Sequence, residues 1–389
     1  MKKTIICFAC NEDGVGPSVF AYYLVRAIIE AWNKSNSEIT LEIRILVSND
    51  KAYNFNRSIY SSNKFLGVVR LPDEDPQERK KIDSLIKLYH KNGELNVPNT
   101  VRTWRKYGKW RETYCQNARK YLDGSCVAID IGVPLFARCA KIMGIPDITI
   151  FDHSWSCTLR GISSRDAEYI EDIPSDKHRK DANKIALEIE KDEKCASEVL
   201  LFDHYITPPE FYQHWRNLGF NPKTIGGVLG NREDSGTALK ILNNLFVELG
   251  EEQVSVQQKL VLVSPGGTPI WNQLLGRMIN EFDQAPRVDY LPVLSLPDPT
   301  VLNEEERKKI VSSKGIRLIG PVRGATNQAI MPAFDLVVTR AGGGIVNDCL
   351  ATATPFVCVE QRQWQVKLIE RECKIHQPPL IPSDRKSVV

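Results

Sequence analysis

The stretch Asp335 to Gln365, DLVVTRAGGGIVNDCLATATPFVCVEQRQWQ, decides how the chain is read. A short apolar run, Leu336-Val337-Val338, stops at Thr339-Arg340, and Gly342-Gly343-Gly344 follow. Ile345 to Leu350 can continue as a helix. Pro355 then opens a second apolar run, Phe356-Val357-Cys358-Val359, which ends at Glu360-Gln361. Strand, glycine turn, helix, strand is a βαβ unit. Glycines at such a turn let backbone N–H groups and the positive helix end approach a phosphate closely. A glycine triplet alone favours a plain tight turn, so the weight falls on the surrounding chain.

The same order precedes it. Lys259 to Ser264 reads as a strand, Pro265-Gly266-Gly267-Thr268 as a glycine turn and Ile270 to Phe282 as a helix. Val288 to Val293 and Ile316 to Ile319 are further strands, the second ending at Gly320-Pro321-Val322-Arg323-Gly324, and Asn327 to Ala333 is a short helix. The first half begins alike. Residues 4–10 are a continuous apolar run, as in a parallel strand covered on both faces. A loop with Asp13, Gly14 and Gly16 leads into a helix carrying Phe20, Leu24, Ala27 and Ile28 on one face, and Leu41 to Val47 is the next strand. Cys126 to Asp130 and Ile145 to Phe151 follow as strands, the latter ending at Asp152-His153. In parallel α/β sheets the carboxyl ends of the strands line the ligand crevice. Asp13, Asp130, Asp152 and His153 all lie just past such ends.

These elements predict two doubly wound, Rossmann-like α/β domains facing each other across a cleft. The expected boundaries are 1–235 for the first domain, 236–258 for a hinge region and 259–389 for the second. A length of 389 residues holds two ordinary cores, and 42% hydrophobic with 25% charged residues is a globular composition. A net charge of +3 gives no bulk electrostatic reason to expect nucleic acid. No run reaches the roughly 18 apolar residues that span a bilayer. The start, Met1 to Cys10, is too short in its apolar part for a secretory leader and reads as the first buried strand of a cytoplasmic protein.

Two features compete with that plain reading. The 10 cysteines are scattered, and Cys7 and Cys10 sit in a strand pattern rather than at a helix start. They are therefore expected as reduced core residues, with no zinc spacing anywhere. The segment Arg102 to Tyr121 is basic and interleaved with Trp104, Tyr107, Trp110 and Tyr114. A stacking platform for single-stranded nucleic acid would combine these ingredients. So would a solvated helix with apolar anchors, the better expectation, or a cationic rim for an anionic substrate.

The order of elements resembles the GT-B glycosyltransferases, with the bacterial peptidoglycan GlcNAc-transferase group as the closest pattern. The likeness is best over Leu260 to Gln365: the first glycine loop, the Gly-x-Val turn at Gly320 to Val322, the segment MPAFDLVVTRAGGG, and a T-P-F-V-x-V strand with a Glu/Gln-rich end. The loop Gly14-Val15-Gly16-Pro17 resembles the acceptor-side glycine loop of that family. The resemblance implies a donor site in which Gly342, Gly343 and Gly344 face the diphosphate, backed by Gly266, Gly267 and Thr268, with Arg340 or Arg323 offsetting its charge. It implies that Asp348 holds the ribose hydroxyls, that Val322 and Arg323 read the nucleobase, and that Glu360, Gln361 and Gln365 meet the sugar. A surface helix charge is the plainer reading of Asp348. The family often has a His in its first glycine loop where this chain has none, so Asp13 and His153 are the candidate bases; a helix cap and a packed strand end are their plainer readings. After Cys373 the family continues through further helices, whereas this chain ends at Val389 behind a proline-rich tail.

The resemblance thus implies an inverting, metal-independent glycosyltransferase. It would use a nucleotide-diphosphate sugar such as a UDP-sugar as co-substrate, with no other cofactor. Its partners would be that donor and a small-molecule or lipid-linked acceptor, without nucleic acid; contact with a membrane surface stays open. A nucleotide-sugar 2-epimerase of the same architecture and a non-catalytic donor- or acceptor-binding subunit are the alternatives.

Overall fold

The computed structural model describes residues 3–10, 16–35, 39–48, 50–60, 66–71, 90–91, 94–151, 154–163, 175–203, 206–226, 233–248, 252–264, 290–295, 316–319, 325–339 and 343–358. The chain divides into two compact units, one formed by Met1–His90 with Leu95–Gly226, the other by Lys91–Glu94 with Gly227–Val389.

The first unit is built on β1 (Lys3–Cys10), α1 (Gly16–Lys34), β2 (Thr40–Val47), α2 (Asp50–Tyr60) and β3 (Leu66–Arg70). A two-stranded pair, β4 (His90–Lys91) and β5 (Glu94–Leu95), precedes α3 (Val97–Trp104) and α4 (Tyr107–Leu122). Then come β6 (Val127–Ile131), α5 (Pro134–Ile142), β7 (Asp147–Phe151), α6 (Trp155–Ser163), α7 (Asp176–Glu193), β8 (Glu198–Phe202), α8 (Pro209–Asn217) and β9 (Lys223–Ile225). The sheet order is β3-β2-β1-β6-β7-β8-β9, with every pairing parallel. The apolar runs explain this. Cys7, Phe8 and Ala9 of β1 are fully buried, as a strand covered by helices on both faces must be.

The basic, aromatic segment is resolved into α3 and α4, and its rings face inward. Trp104, Tyr107 and Tyr114 are buried, Trp104 stacking on Tyr107. Arg111 bonds Asp192 (3.0 Å) and Glu188 (3.0 Å) on α7, and Arg105 pairs with Asp181. Buried rings cannot serve as a base-stacking platform, so the segment is a packed helical layer with exposed charges on its outer side. One cysteine expectation is corrected. Cys115 on α4 and Cys139 on α5 form a disulfide with their Cα atoms 5.2 Å apart. The sequence gives no local sign of it, because only the packing of two helices brings the residues together. Cys7 and Cys10 lie buried in β1 as thiols rather than in a disulfide, and burial pushes the Cys7 thiol far above its ordinary range.

The second unit comprises α9 (Ser235–Glu248), β10 (Lys259–Ser264), β11 (Tyr290–Ser295), β12 (Arg317–Ile319), α10 (Ala325–Ile330), a 3-10 turn (Met331–Ala333), β13 (Leu336–Thr339), α11 (Gly343–Thr352) and β14 (Phe356–Cys358). Its sheet order is β12-β11-β10-β13-β14, again parallel at every pairing. Ala238, Leu242 and Phe246 of α9 are buried with Val254, Leu260, Val293 and Phe334 in one core. Much of the stretch 236–258, read from the sequence as a hinge, is thus packing surface of this unit. Val254 is further held by Asn243, whose amide bonds its backbone in both directions. Among the described residues no helix is long and apolar enough to cross a membrane.

Two carboxyls lie inside the first sheet. Asp130 of β6 and Asp147 of β7 are both almost wholly inaccessible. The Thr149 hydroxyl lies 3.2 Å from an Asp130 oxygen and 3.3 Å from an Asp147 oxygen. It has one hydrogen to give, so the second contact needs a carboxyl that brings its own proton. Burial raises both groups, Asp130 to about 7, and the Asp130 charge raises Asp147 further. Folded-state values above the unfolded ones mean that the native state binds more protons. Stability is then fully present below about pH 4 and falls as pH rises through the folded values. Urea unfolding of the first unit should show stability falling between pH 5 and pH 8, by an amount on the order of 1–3 kcal/mol. Asp147→Asn should flatten that slope.

Candidate functional site

Parallel strands send every connection out of the same edge. In the second sheet, Ser264 pairs with Thr339 and Thr339 with Cys358, while Ser295 pairs with Ile319. Strands β10 to β14 therefore all end at one carboxyl edge. Strand order reverses between β10 and β13, since β11 and β12 lie to one side and β14 to the other. Such a switch point opens a crevice, because neighbouring connections turn to opposite faces. The Thr339 hydroxyl fastens the two strands there by donating to the Ser264 carbonyl at 2.8 Å. The first sheet has its own switch point between β1 and β6, where Cys10 pairs with Ile131.

Of the residues singled out in the sequence, Gly343 and Gly344 open α11, the helix that starts beside the second switch point. Among the described residues, an added Cβ at Gly344 would meet nothing within 4 Å. Gly16 opens α1 in the first unit. Asp13, Gly14, Asp152, His153, Gly266, Gly267, Thr268, Val322, Arg323, Arg340, Gly342, Glu360, Gln361 and Gln365 lie outside the described residues.

Asp348 is described in full, and it is no surface charge. Only 5% of it is accessible. One carboxylate oxygen accepts from the Gln328 amide at 2.8 Å, the other from the Asn327 amide at 2.5 Å. Both donors sit on α10, so the carboxylate ties α10 to α11 across the end of β13. Burial raises the Asp348 carboxyl to about 6, and the hydrogen bonds from Gln328, Asn327 and Asn347 pull in the opposite direction. With Asn347 as a third donor, three of the roughly four acceptor positions of the carboxylate are taken. Sequence reading missed Asn327 and Gln328 because they fell in a short helix with no visible role. The signal was present nonetheless, since an acidic residue on an otherwise apolar helix needs buried donors nearby.

Two other features of the first unit reach its carboxyl edge. Gly132, just after β6, has φ +72° and would drive a Cβ into the Phe151 ring. Trp155, the first residue of α6, donates from its indole nitrogen to the Gly132 carbonyl at 3.0 Å. The ends of β6 and β7 are thereby locked to the start of α6.

No family model matches the chain, and no curated protein matches it at a significant level. Solved structures do, along nearly the whole length. Glycyrrhiza uralensis UGT73P12, complexed with glycyrrhetinic acid 3-O-monoglucuronide, aligns over 96% of this chain and 79% of its own, at 13% identity and a TM-score of 0.56. Arabidopsis thaliana UGT89C1 with UDP-L-rhamnose aligns over 100% and 91%, at 12% identity and a TM-score of 0.56. Medicago truncatula UGT71G1 with UDP-glucose aligns over 96% and 89%, at 10% identity and a TM-score of 0.52. The chain has the GT-B fold. The narrower resemblance to the bacterial peptidoglycan group rests on sequence motifs alone.

Removing the Asp348 carboxylate should leave its three side-chain amide donors without this acceptor. Asp348→Ala is expected to lower the stability of the second unit by about 2–4 kcal/mol in denaturant unfolding. Asp348→Asn, similar in shape, should cost less. Gly132→Ala should cost about 2–4 kcal/mol in the first unit, combining a left-handed backbone with an overpacked ring.

Proposed function

We propose that the protein is a glycosyltransferase moving a sugar from a nucleotide-diphosphate donor, most simply a UDP-sugar, to a hydroxyl or amine of a small-molecule or lipid-linked acceptor. The reaction inverts the anomeric centre and uses no metal. The observation that carries this reading is the likeness, over at least 96% of this chain, to structures whose bound ligands include UDP, UDP-glucose and UDP-L-rhamnose. The position of α11 at the switch point of the second sheet supports it.

In this reading the second unit is the donor side and the first the acceptor side. The N-terminus of α11 and the glycines Gly342, Gly343 and Gly344 face the diphosphate, with Gly266, Gly267 and Thr268 behind it. Arg340 or Arg323 offsets its charge. A helix N-terminus and a guanidinium together stabilise a departing diphosphate, which is the electrostatic work that the reaction requires. Asp348 uses its remaining acceptor position for a ribose hydroxyl while the α10 amides hold it in place. Val322 and Arg323 meet the base, and Glu360, Gln361 and Gln365 the sugar. On the acceptor side a general base takes the proton of the attacking hydroxyl, and Asp13 or His153 supplies it, with Gly14, Gly16 and Asp152 around them.

Calorimetry with UDP, followed by turnover of a panel of UDP-sugars, tests the reading. UDP at 100 times its dissociation constant should raise stability by about 2.7 kcal/mol. Asp348→Asn should weaken UDP binding roughly tenfold or more while the melting temperature shifts little, because a neutral amide is a poorer acceptor for that hydroxyl. Unchanged affinity in that variant would remove Asp348 from the ribose. Tight binding without transfer to any acceptor would favour a binding subunit, and interconversion of the free UDP-sugar an epimerase.

A further inference from the structure

The outer face of α7 carries one sign of charge, although its sequence does not. The helix holds five lysines and arginines against six acidic residues. Folding sorts them. Glu190, Asp192 and Glu193 are turned inward and are nearly inaccessible. Arg111 holds one Asp192 oxygen at 3.0 Å, and Arg138 lies 3.6 Å from the other. Glu193 accepts from the hydroxyls of Ser154 and Ser156 and from the Ser156 N–H, next to His214 of α8, and Glu190 pairs with Arg160. Asp181 and Glu188, both half-buried, pair with Arg105 and Arg111.

What stays outside is a stripe. Lys177, Lys180, Lys184, Leu187, Lys191 and Lys194 are all exposed and follow one another at steps of three and four residues, so they share one side of the helix. Lys194 is the C-cap, and the stripe is about 25 Å long. Ala182, Ile185, Ala186 and Ile189 on the opposite side are buried. Lys191 lies 2.7 Å from Glu188, a carboxylate it shares with Arg111, so even there cations outnumber anions. The whole chain has a net charge of only +3, which makes this concentration local.

Lysines alone would be an ordinary solvated face. The apolar residue among them is not ordinary. Leu187 is 44% exposed with Lys184 and Lys191 on either side of it, and Ile142, 61% exposed, ends α5, the helix packed beside α7. A lysine can lay its methylenes along apolar material while its ammonium reaches a phosphate. A basic helix side with a leucine within it therefore suits the boundary between lipid headgroups and acyl chains. A nucleic acid suits it less. Stacking on bases needs exposed rings, the stripe has none, and Trp104, Tyr107 and Tyr114 in the same helical layer are buried.

We propose that the outer face of α7 is a docking surface for a membrane rich in anionic phospholipid, the lysines meeting headgroup phosphates and Leu187 entering between them. The contact is peripheral and reversible, since each lysine near such a surface adds roughly fivefold to binding. It belongs to the first unit alone and does not rest on the transferase reading.

Sedimentation of the full chain with vesicles tests it. The protein should pellet with vesicles of phosphatidylserine and phosphatidylcholine and stay in solution with phosphatidylcholine alone. Raising the salt from about 0.1 M to about 1 M, which shortens the Debye length from roughly 10 Å to 3 Å, should release it. Lys180→Glu combined with Lys184→Glu should weaken binding at least ~25-fold, about fivefold for each lysine lost. Leu187→Ser should weaken it about fivefold and keep the salt dependence. All three positions are exposed, so these variants should melt as the wild type does. Should charge reversal unfold the chain, Lys180→Gln with Lys184→Gln makes the same comparison. No pelleting with either vesicle, equal pelleting with both, or undiminished binding by the lysine variants would overturn the proposal. Undiminished binding by Leu187→Ser would overturn the entry of Leu187. A single-stranded oligonucleotide that binds more tightly than the vesicles, and loses its hold with the same lysines, would make this a nucleic-acid surface and overturn the membrane assignment. UDP-sugar turnover enters none of these readouts, so they stand or fall apart from the transferase reading.

Discussion

A parallel sheet has one exit edge. Antiparallel strands can turn back locally, but parallel ones must deliver every connection to the same side and return by a helix. The two large sheets obey that constraint at every pairing among the described residues, and the candidate chemistry follows from it. Glycine turns, helix starts and short polar clusters gather beyond the strand ends because the interior of each strand has no room for them. The strand order reverses between β10 and β13 in the second unit and between β1 and β6 in the first.

The fold was readable in the sequence because parallel strands leave a strong local trace. Residues 4–10, 259–264 and 336–338 are apolar without alternation, and each is followed by a glycine-bearing turn. The candidate donor helix was readable for the same reason. What escaped reading was made by contacts distant in sequence. For Asp348, read as a ribose ligand, a surface charge stayed open as the plainer alternative because nothing near it in the chain shows that Asn327 and Gln328 reach it. The stretch 236–258 looked like a hinge because its polar tract hides Val254, whose burial depends on Asn243. Glu193, Ser156 and His214 come from three separate elements, and none of their local patterns differs from that of a solvated helix.

The same contrast runs through the charges. The basic residues on α3 and α4 left a ligand surface open beside the favoured solvated helix, and Arg111 spends its guanidinium on α7. The buried carboxyls are where electrostatics shapes this molecule. Asp348 is held by amides, Glu193 by hydroxyls and a backbone N–H, and Asp130 with Asp147 by a shared hydroxyl, the Val133 backbone N–H and a retained proton. These are three different answers to one problem, the cost of a carboxyl away from water. They differ in what they allow: the amides leave an acceptor position for a ligand, the serine cluster is closed, and the paired aspartates tie the sheet to pH.

The disulfide between Cys115 and Cys139 encloses β6, the strand beside the first switch point. With a sequence separation of 24 residues, its loop-closure effect on the unfolded chain is about 3–4 kcal/mol in the entropic account. Its mechanical effect is different in kind. When the chain is pulled from its ends, tension passes through the sulfur bridge and bypasses the enclosed residues. β6 and the start of α5 would carry no load until the bridge is reduced. About 24 residues would be missing from the extended length, roughly 80 Å of slack that only a reductant releases. The strand that anchors the first crevice is thus shielded from force by a covalent loop, and the redox state of two helices sets whether that shield exists.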